Sequence, residues 1–245
     1  AAALNSATEV AMDGKDVTDI FLTNADMSSQ EGWTPVISSQ YRDYGNGLIG
    51  EYNVRFSAAT FDETHLATEY CFGVECRWET NYASFTQSTA TLPAGVYTFT
   101  YDVENVNGTT SSGTYNNLFF AQVGGTKFND NSTEWMKGKS AWTTHTITAT
   151  LNEASPLTLS LGYGNDRNLD AAYTPAIYVS HLSMTYSSFL AGAQKAWQEA
   201  GKAAAAAIAA NPNVTGSEKA ALVAACSTTP EATVEGYNNA AETIN

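Results

Sequence analysis

Basic residues are scarce in this 245-residue chain: Lys and Arg together number 11, against 25 for Asp and Glu, which gives a net charge of −14. Nucleic-acid binding depends on neutralising phosphates with basic side chains, so this composition excludes nucleic acid as a natural partner. An anionic membrane surface is disfavoured for the same reason. No apolar run reaches the roughly 18 residues that a membrane-spanning helix needs, so we expect no membrane span.

Lysine is rare, whereas Ser, Thr and Asn are abundant, and the chain has 13 Tyr and 5 Trp. Such a composition is typical of an extracellular surface. The chain begins at Ala1 without a basic and apolar signal region, so any export signal is expected to have been removed already. We therefore expect a secreted or cell-surface location, and a chain that is a piece of a longer, multi-module protein.

Cysteine is also scarce, with three in the chain. Cys71 and Cys76 lie five positions apart, and if the chain turns at Gly73 the two thiols face each other. A disulfide across so short a loop would add about 2 kcal/mol on the loop-entropy model, and the alternative is two buried, reduced cysteines. Cys226 is expected to pack on a helix. The sequence has no CxxC pair and no Cys/His cluster, so no motif indicates a zinc site.

The composition changes near Ser187. Residues 1–186 are rich in aromatics, Thr and turn residues, and their 8 basic and 20 acidic residues give a net charge of −12. Residues 187–245 have 3 basic and 5 acidic residues, a net of −2, and 18 alanines in 59 positions. Alanine is the strongest helix former. We therefore predict one domain over 16–186 and an alanine-rich helical bundle over 187–245.

The first part alternates bulky and polar residues with the period of a strand. Segments 96–103, 144–151, 157–161 and 176–186 show this pattern. Gly124-Gly125 is expected to form a two-residue hairpin turn. Eight or nine short strands separated by turn residues predict an antiparallel, jelly-roll-like β-sandwich.

The second part has apolar residues at helical spacings. They form a stripe from Phe189 to Ile208, Thr215 and Glu218 have the spacing of a capping box, and a third periodic segment runs from Val234 to Ile244. The predicted fold class is therefore mostly β plus α, with the sandwich followed by a C-terminal three-helix bundle. We expect the bundle to be a spacer or docking module without a site of its own.

Candidate catalytic groups are few. His65, His145 and His181 are scattered, and the last two lie in strand patterns, where a structural role is expected. The sequence has no GxSxG elbow, HExxH motif or phosphate-cradling glycine loop. We expect no enzyme and no cofactor. The oxygen-rich segments 166–170 and 129–131 either bind a structural calcium ion or are solvated loops. Neither segment matches an EF-hand.

Aromatic residues beside polar ones favour a binding function. Trp33, Trp142 and Trp197 are expected in the core. Sugars present C–H faces that stack on aromatic rings and hydroxyls that pair with planar polar groups. The residues placed to do this lie in two loops and around one charge-flanked tryptophan, and the candidate site consists of Tyr41, Arg42, Tyr44, Trp78, Tyr163, Asn165, Asp166 and Arg167.

Four segments match strands of a known family. They are Asn24-Ala25-Asp26-Met27 with Gly32-Trp33-Thr34, then Leu92-Pro93-Ala94-Gly95-Val96-Tyr97-Thr98-Phe99, then Trp142-Thr143-Thr144-His145-Thr146-Ile147, and finally Ile177-Tyr178-Val179-Ser180-His181-Leu182. They resemble, in order, the opening, central, late and final strands of galactose-binding-like, carbohydrate-binding-module β-sandwiches from secreted Bacteroidetes-type proteins. Ser180-His181 departs from the aspartate-asparagine pair that is more usual in the final strand. Residues 187–245 resemble helical modules of the FIVAR type.

The predicted function is a non-catalytic, lectin-like carbohydrate-binding module of an exported or cell-surface multi-module protein. Tyr163 or Trp78 is expected to supply the stacking face. The net charge of the first part predicts neutral glycans, since sulfated or sialylated ones would be repelled. Other modules of the chain or neighbouring surface proteins are further expected partners. The alternatives are a structural or adhesive repeat unit with no sugar ligand, and an accessory domain of a glycoside hydrolase.

Overall fold

The computed structural model describes residues 6–37, 48–51, 63–66, 70–75, 82–105, 119–123, 126–129, 139–164, 176–211 and 213–244. The strands in these ranges are β1 (Lys15–Asp16), β2 (Thr34–Ile37), β3 (Leu48–Glu51), β4 (Tyr70–Glu75), β5 (Tyr82–Ser88), β6 (Gly95–Asn105), β7 (Phe119–Val123), β8 (Thr126–Asn129), β9 (Lys139–Leu151), β10 (Thr158–Gly164) and β11 (Ala176–Ser188). The helices are α1 (Ser6–Ala11), α2 (Thr18–Phe21), α3 (Phe189–Ala210), α4 (Gly216–Ser227) and α5 (Val234–Ile244).

The strands form two antiparallel sheets. The first has the order β3-β4-β11-β6-β9 with β1 also paired to β11, and the second has the order β2-β5-β10-β7-β8. The rings of Phe72 on β4 and Phe85 on β5 meet edge to face, with centroids 5.3 Å apart, so the two sheets pack against each other. The predicted antiparallel β-sandwich is confirmed at this level, and its jelly-roll topology stays a prediction.

Alternation along β6 determines which side chains reach the core. Tyr97, Phe99 and Tyr101 are fully buried in the cluster between the sheets. Thr100 and Asp102 alternate with them and are only partly buried. Because successive residues of a strand point to opposite faces, Asp102 lies on the face of the sheet that points away from the core. Each large apolar side chain removed from water contributes about 1.5–3 kcal/mol to stability, so the inner face fixes the register.

The change from strand to helix falls between Ser188 and Phe189, where β11 ends and α3 begins. The Ser188 hydroxyl accepts from the backbone N–H of Ala191 at 3.0 Å and donates to Glu9 at 3.1 Å. The Ser188 N–H donates to the Asp13 carboxylate at 2.8 Å. The N-terminal segment, which precedes the predicted sandwich of residues 16–186, thus ties the start of α3 to the sandwich.

The C-terminal helices pack through small clusters. Leu190 and Ala193 of α3 contact Tyr237 of α5, and Val10 of α1 joins them. The capping box at the start of α4 is confirmed, because Thr215 accepts from the N–H of Glu218 and the Glu218 carboxylate accepts from the N–H of Thr215. The structure therefore has three C-terminal helices, and α1 from the N-terminal segment packs against them.

Two expectations about local structure are wrong. Asn24–Met27 is not a strand: it forms turns, with φ of 48° at Asn24 and 60° at Met27, and β2 begins only at Thr34. Nor does the chain fold back at Gly73, because Tyr70–Glu75 is a continuous strand. Both segments were interpreted from short motifs, and in each case long-range packing decides the backbone.

The strand through Gly73 removes the geometric support for a bridge between Cys71 and Cys76. Four residues of extended chain lead about 13 Å away from Cys71, whereas bridged Cα atoms lie within about 7 Å of each other. Cys71 is buried on β4, Cys76 lies outside the described residues, and no disulfide occurs within the described ranges. The described part of the chain also has no helix long and apolar enough to cross a membrane.

Candidate functional site

One edge of β11 has two partners with a gap between them. Toward the start of β11, Val179 pairs with Phe72 of β4, and toward its end Thr185 pairs with Asp16 of β1. Between these contacts the register of β11 against β6 shifts, from Ser180 to Ser183. A bulge bends a strand and redirects its side chains. The interrupted edge therefore opens a groove beside the bulge.

His181 occupies the centre of the bulge with φ of 51°. Left-handed backbone at a residue with a side chain is uncommon and costs about 1–2 kcal/mol. The surrounding pairings of β11 hold it there. This conformation projects the His181 imidazole into the groove, where its side chain is 39% exposed.

The groove has a volume of about 530 Å³ and combines carboxylates with apolar side chains. Tyr70, the first residue of β4, is 40% exposed, and Ile20 of α2 is 60% exposed. Asp16, Asp19 and Asp26 also line it, and all three are exposed. It thus presents the Tyr70 ring, the Ile20 side chain and three carboxylates to a ligand, beside the His181 imidazole.

Two of the three carboxylates are held in fixed orientations. One oxygen of Asp16 accepts from the backbone N–H of Thr18 at 2.9 Å and from its hydroxyl. One oxygen of Asp26 accepts from the N–H of Ser28 at 3.1 Å and from its hydroxyl at 2.9 Å. Among the described residues no partner bonds the second oxygen of either carboxylate, so each presents one oriented acceptor.

The segment that carries Asp26 is anchored to the sandwich by two side chains. Gln87 of β5 accepts from the N–H of Thr23 at 2.8 Å and donates to its carbonyl at 2.9 Å. The indole N–H of the buried Trp33 donates to the carbonyl of Asn24 at 3.1 Å. The prediction that Trp33 is a core residue is confirmed. One wall of the groove is therefore fixed by buried hydrogen bonds.

A cluster of two histidines and an aspartate adjoins the groove at His181. Asp102 Oδ2 lies 2.9 Å from His181 Nδ1 and 3.3 Å from His65 Nε2. The other carboxylate oxygen, Oδ1, accepts from the hydroxyl of Thr144 at 2.6 Å. The side chains of His65 and Asp102 are 5% and 16% exposed. Asp102 is 37 positions from His65 and 79 from His181, so no local sequence motif could predict the cluster.

Aromatic stacking positions the histidines. The ring of His65 lies parallel to that of Trp142, with centroids 4.1 Å apart and 4° between the planes. The His181 ring also stacks with His65, with centroids 4.7 Å apart and 21° between the planes. Trp142 is only partly buried, on β9, so its expected place in the core is wrong. Its ring forms the base of the stack that carries the histidines.

Most of the sugar-binding residues predicted from sequence lie outside the part of the chain that the structure describes. Tyr41, Arg42 and Tyr44, Trp78, and Asn165, Asp166 and Arg167 lie outside the described residues. Tyr163 lies in β10, paired with Ala83 of β5. Of the two calcium candidates, 166–170 is outside the described ranges and 129–131 is described only at Asn129. These sites stay predictions.

Sequence analysis missed both the groove and the cluster. Their members come from β1, α2, β4, β6 and β11 and from the turn segments that carry Asp26 and His65, so only the tertiary fold brings them together. One signal was present: the polar pair Ser180-His181 interrupts the strand pattern of residues 176–186, at the position of the bulge.

No family model and no curated protein sequence matches this chain. A Stig cyclase from Fischerella sp. TAU, in complex with (3Z)-3-(1-methyl-2-pyrrolidinylidene)-3H-indole, is similar with a TM-score of 0.48 and 14% identity over 68% of this chain and 96% of that one. TmCBM61 in complex with beta-1,4-galactotriose is similar with a TM-score of 0.43 and 14% identity over 68% and 97%.

The CBM22-1 xylan-binding domain from Paenibacillus barcinonensis Xyn10C is similar with a TM-score of 0.39 and 12% identity over 69% of this chain and 95% of that one. Carbohydrate-binding modules with a β-sandwich-like fold are therefore among the similar structures, at low identity, together with enzymes. The likeness of residues 187–245 to FIVAR-type modules stays a prediction.

Proposed function

We propose that the groove beside the β11 bulge binds a neutral carbohydrate without catalysis, as a module of an exported or cell-surface protein. The observation that carries the proposal is the exposed ring of Tyr70 in the same groove as the oriented carboxylates of Asp16 and Asp26. A pyranose has an apolar C–H face and a rim of hydroxyls. The groove offers a surface for each.

Stacking on Tyr70 supplies the apolar contact. An aromatic ring buries C–H groups and holds a polar hydroxyl at its end, so it suits ligands that are apolar on one side and hydrated on the other. The exposed side chain of Ile20 extends this surface on the groove wall. Single exposed hydrophobic residues are common on any protein surface, whereas Tyr70 and Ile20 are exposed together in one polar groove.

Carboxylates supply the directional contacts. Sugar hydroxyls donate to them, and a hydrogen bond with one ionised partner is about twice as strong as a neutral one. Because Asp16 and Asp26 are already oriented by Thr18 and Ser28, little side-chain freedom is lost on binding. Three aspartates in a chain of net charge −14 repel sulfated and sialylated ligands, which supports neutral ones.

The exposure of these carboxylates supports binding over hydrolysis. A glycosidase needs one carboxyl group kept protonated by its surroundings and a second that acts as nucleophile or base. Asp16, Asp19 and Asp26 are all exposed to solvent. The non-catalytic proposal predicts that a bound oligosaccharide is recovered intact, which chromatography of the ligand after prolonged incubation measures.

The test is binding of the full chain to an array of neutral and acidic glycans, followed by calorimetric titration with the best neutral oligosaccharide. Dissociation constants on the order of 0.1–1 mM are expected for a single shallow site. Tyr70→Ala should weaken binding at least tenfold, whereas Tyr70→Phe, which keeps the ring, should stay within about threefold. Asp26→Asn should weaken binding less than Tyr70→Ala does.

Trp78→Ala and Tyr163→Ala test the loops predicted from sequence against the groove. If they abolish binding and Tyr70→Ala does not, the groove is the wrong site and the loops are right. If no neutral glycan binds at millimolar concentration, carbohydrate binding itself is wrong. A preference for sialylated or sulfated glycans would contradict the charge argument.

One observation favours the alternative of an assembly unit. β9 forms the end of its sheet in the described pairings, and its 13 residues carry no charged side chain after Lys139 apart from His145 if protonated. Long edge strands with few charges invite pairing with another chain. Sedimentation velocity over a hundredfold range of concentration distinguishes the two functions, since a sugar-binding module needs no self-association.

A further inference from the structure

We propose that His65, Asp102 and His181 form a binding site for one divalent transition-metal ion of the zinc type. Their ligating atoms are His65 Nε2, one Asp102 oxygen and His181 Nδ1, and these all lie within 4.8 Å of one another. The proposal concerns the cluster on the outer face of the first sheet. It does not depend on carbohydrate binding in the groove.

The distances match what such an ion requires. Ligand atoms about 2.1 Å from a tetrahedral zinc ion lie about 3.4 Å from each other. In the cluster Asp102 Oδ2 is 3.3 Å from His65 Nε2 and 2.9 Å from His181 Nδ1. Two of the three distances between ligand atoms are therefore close to the required length before any side chain moves.

Neighbouring hydroxyls hold the ligands as metal sites require. Metal-binding imidazoles and carboxylates are oriented by hydrogen bonds from their remaining polar atoms. Thr64 Oγ1 lies 3.0 Å from His65 Nδ1, the ring nitrogen that faces away from Asp102. The Thr144 hydroxyl donates to Asp102 Oδ1 and leaves Oδ2 toward the histidines. In the tautomer in which Thr64 accepts from Nδ1–H, the Nε2 lone pair of His65 points into the cluster.

A second, independent observation comes from Ser180. It is fully buried, and its hydroxyl has no hydrogen-bond partner among the described residues. Ser180 pairs directly with Asp102 across β11 and β6, so the two side chains lie on one face of the sheet. A buried hydroxyl without a partner is costly. A metal ion with a bound water in its fourth position supplies a partner at this place.

The ligand types select the class of ion. Imidazole suits zinc, copper, nickel and iron, whereas calcium and magnesium prefer oxygen ligands alone. Three protein ligands leave a fourth position open, and the 39% exposure of the His181 side chain gives that position access to solvent. The strained backbone at His181 is the feature that brings its ring to the cluster.

The test is calorimetric titration of the chelator-treated full chain with zinc chloride, with thermal melting as a second readout. We expect one ion per chain at micromolar affinity or tighter, and a raised melting temperature. Three variants each remove one ligand at little structural cost: His65→Phe keeps the stack on Trp142, Asp102→Asn keeps the shape, and His181→Asn suits the left-handed backbone. Each should weaken zinc binding at least tenfold.

Glu153→Gln, which removes one exposed carboxylate far from the cluster in sequence, is the matched control and should bind zinc as the unaltered chain does. The proposal is overturned if zinc does not bind at millimolar concentration. It is equally overturned if binding persists in all three variants, provided that their circular dichroism matches that of the unaltered chain. Calcium binding that competes with zinc would place the ion on the groove aspartates and contradict the histidine site.

Discussion

Tyr97 and Tyr186 lie opposite each other across β6 and β11, with ring centroids 4.9 Å apart on the inner face of the sheet. The Tyr97 hydroxyl donates to the carbonyl of Pro93, and the Tyr186 hydroxyl to that of Ala94, both at 2.8 Å. The same Tyr186 O–H is shared with the Glu9 carboxylate, whose oxygen lies 3.2 Å from the phenol oxygen. The pair therefore joins the sandwich to the N-terminal segment through buried phenols.

Alkaline pH should destabilise the protein through this pair. Burial, and then the neighbouring Tyr186 and Glu9 charges, raise the pKa of Tyr97 well above its usual range. Burial and the Glu9 carboxylate likewise raise the pKa of Tyr186, although the hydrogen bond with Ser188 acts in the opposite direction. Because unfolded tyrosine ionises near pH 10, the stabilisation is complete below that pH and is lost as the pH rises above it.

Urea unfolding monitored from pH 8 to pH 11.5 measures this effect. The free energy of unfolding should fall above about pH 10, and a Tyr97→Phe Tyr186→Phe double variant should fall less steeply. Absorbance at 295 nm should show these two phenols ionising only as the protein unfolds. A pH dependence that is identical in the double variant would contradict the assignment.

Gly95 is fixed by the same pair of strands, and its replacement should be costly. It has φ of 154°, and a Cβ there would lie 2.5 Å from both the Ser187 carbonyl oxygen and the Tyr186 ring. We expect Gly95→Ala to lower the free energy of unfolding by about 2 kcal/mol or more, since overpacking costs about 1–3 kcal/mol. Chemical denaturation measures it.

Gly192→Ala is the matched control for that experiment. Gly192 lies inside α3 with open space around it, so its replacement should stabilise the protein by about 0.5–1 kcal/mol. Equal effects of the two changes would mean that backbone propensity, and not the close approach at Gly95, decides them.

Gln87 should matter more to stability than its place on a sheet indicates. It makes two hydrogen bonds to the backbone of Thr23 and is buried. Gln87→Leu removes both hydrogen-bond partners of the Thr23 N–H and carbonyl, and because these bonds are only partly buried the change should cost about 1–3 kcal/mol in total. The neighbouring Ser88→Ala, which removes an exposed contact with Thr158, should cost under about 1 kcal/mol. Thermal and urea unfolding compare the two.

The elements that could be predicted from sequence are those in which one residue pattern dominates. Alternating residues are buried over 97–103 of β6, 145–151 of β9 and 182–188 of β11, as the period of a strand requires. The hairpin between β7 and β8 is confirmed by the pairing of Val123 with Thr126 on either side of Gly124-Gly125. On the helical stripe from Phe189 to Ile208, the alanines Ala193, Ala200 and Ala204 are buried. Its larger members are only partly buried, namely Phe189, Trp197 and Ile208.

Short and non-local features could not be predicted in this way. β1 has two residues, and its pairing with β11 depends on contacts across most of the chain. Val234 begins the periodic segment that forms α5 but is 39% exposed, because at the first turn of a helix the neighbours and not the period decide burial. The His65, Asp102 and His181 cluster depends on a bulge, which adds a residue to one strand and so breaks the period that sequence analysis uses.

Ser180 supplies the final prediction, which concerns the metal-depleted protein. Its hydroxyl is buried without a partner among the described residues, so Ser180→Ala removes an unsatisfied group and should raise the free energy of unfolding by about 1 kcal/mol. Thr144→Ala, on the other side of Asp102, removes a hydrogen bond at 2.6 Å and should lower it by about 1–2 kcal/mol. Urea unfolding in the presence of a chelator measures both.

With zinc added, the gain from Ser180→Ala should shrink, because the hydroxyl then has a partner. A Ser180→Ala variant that is less stable than the unaltered chain in chelator would mean that the hydroxyl is already satisfied, and that it gives no support to the metal site.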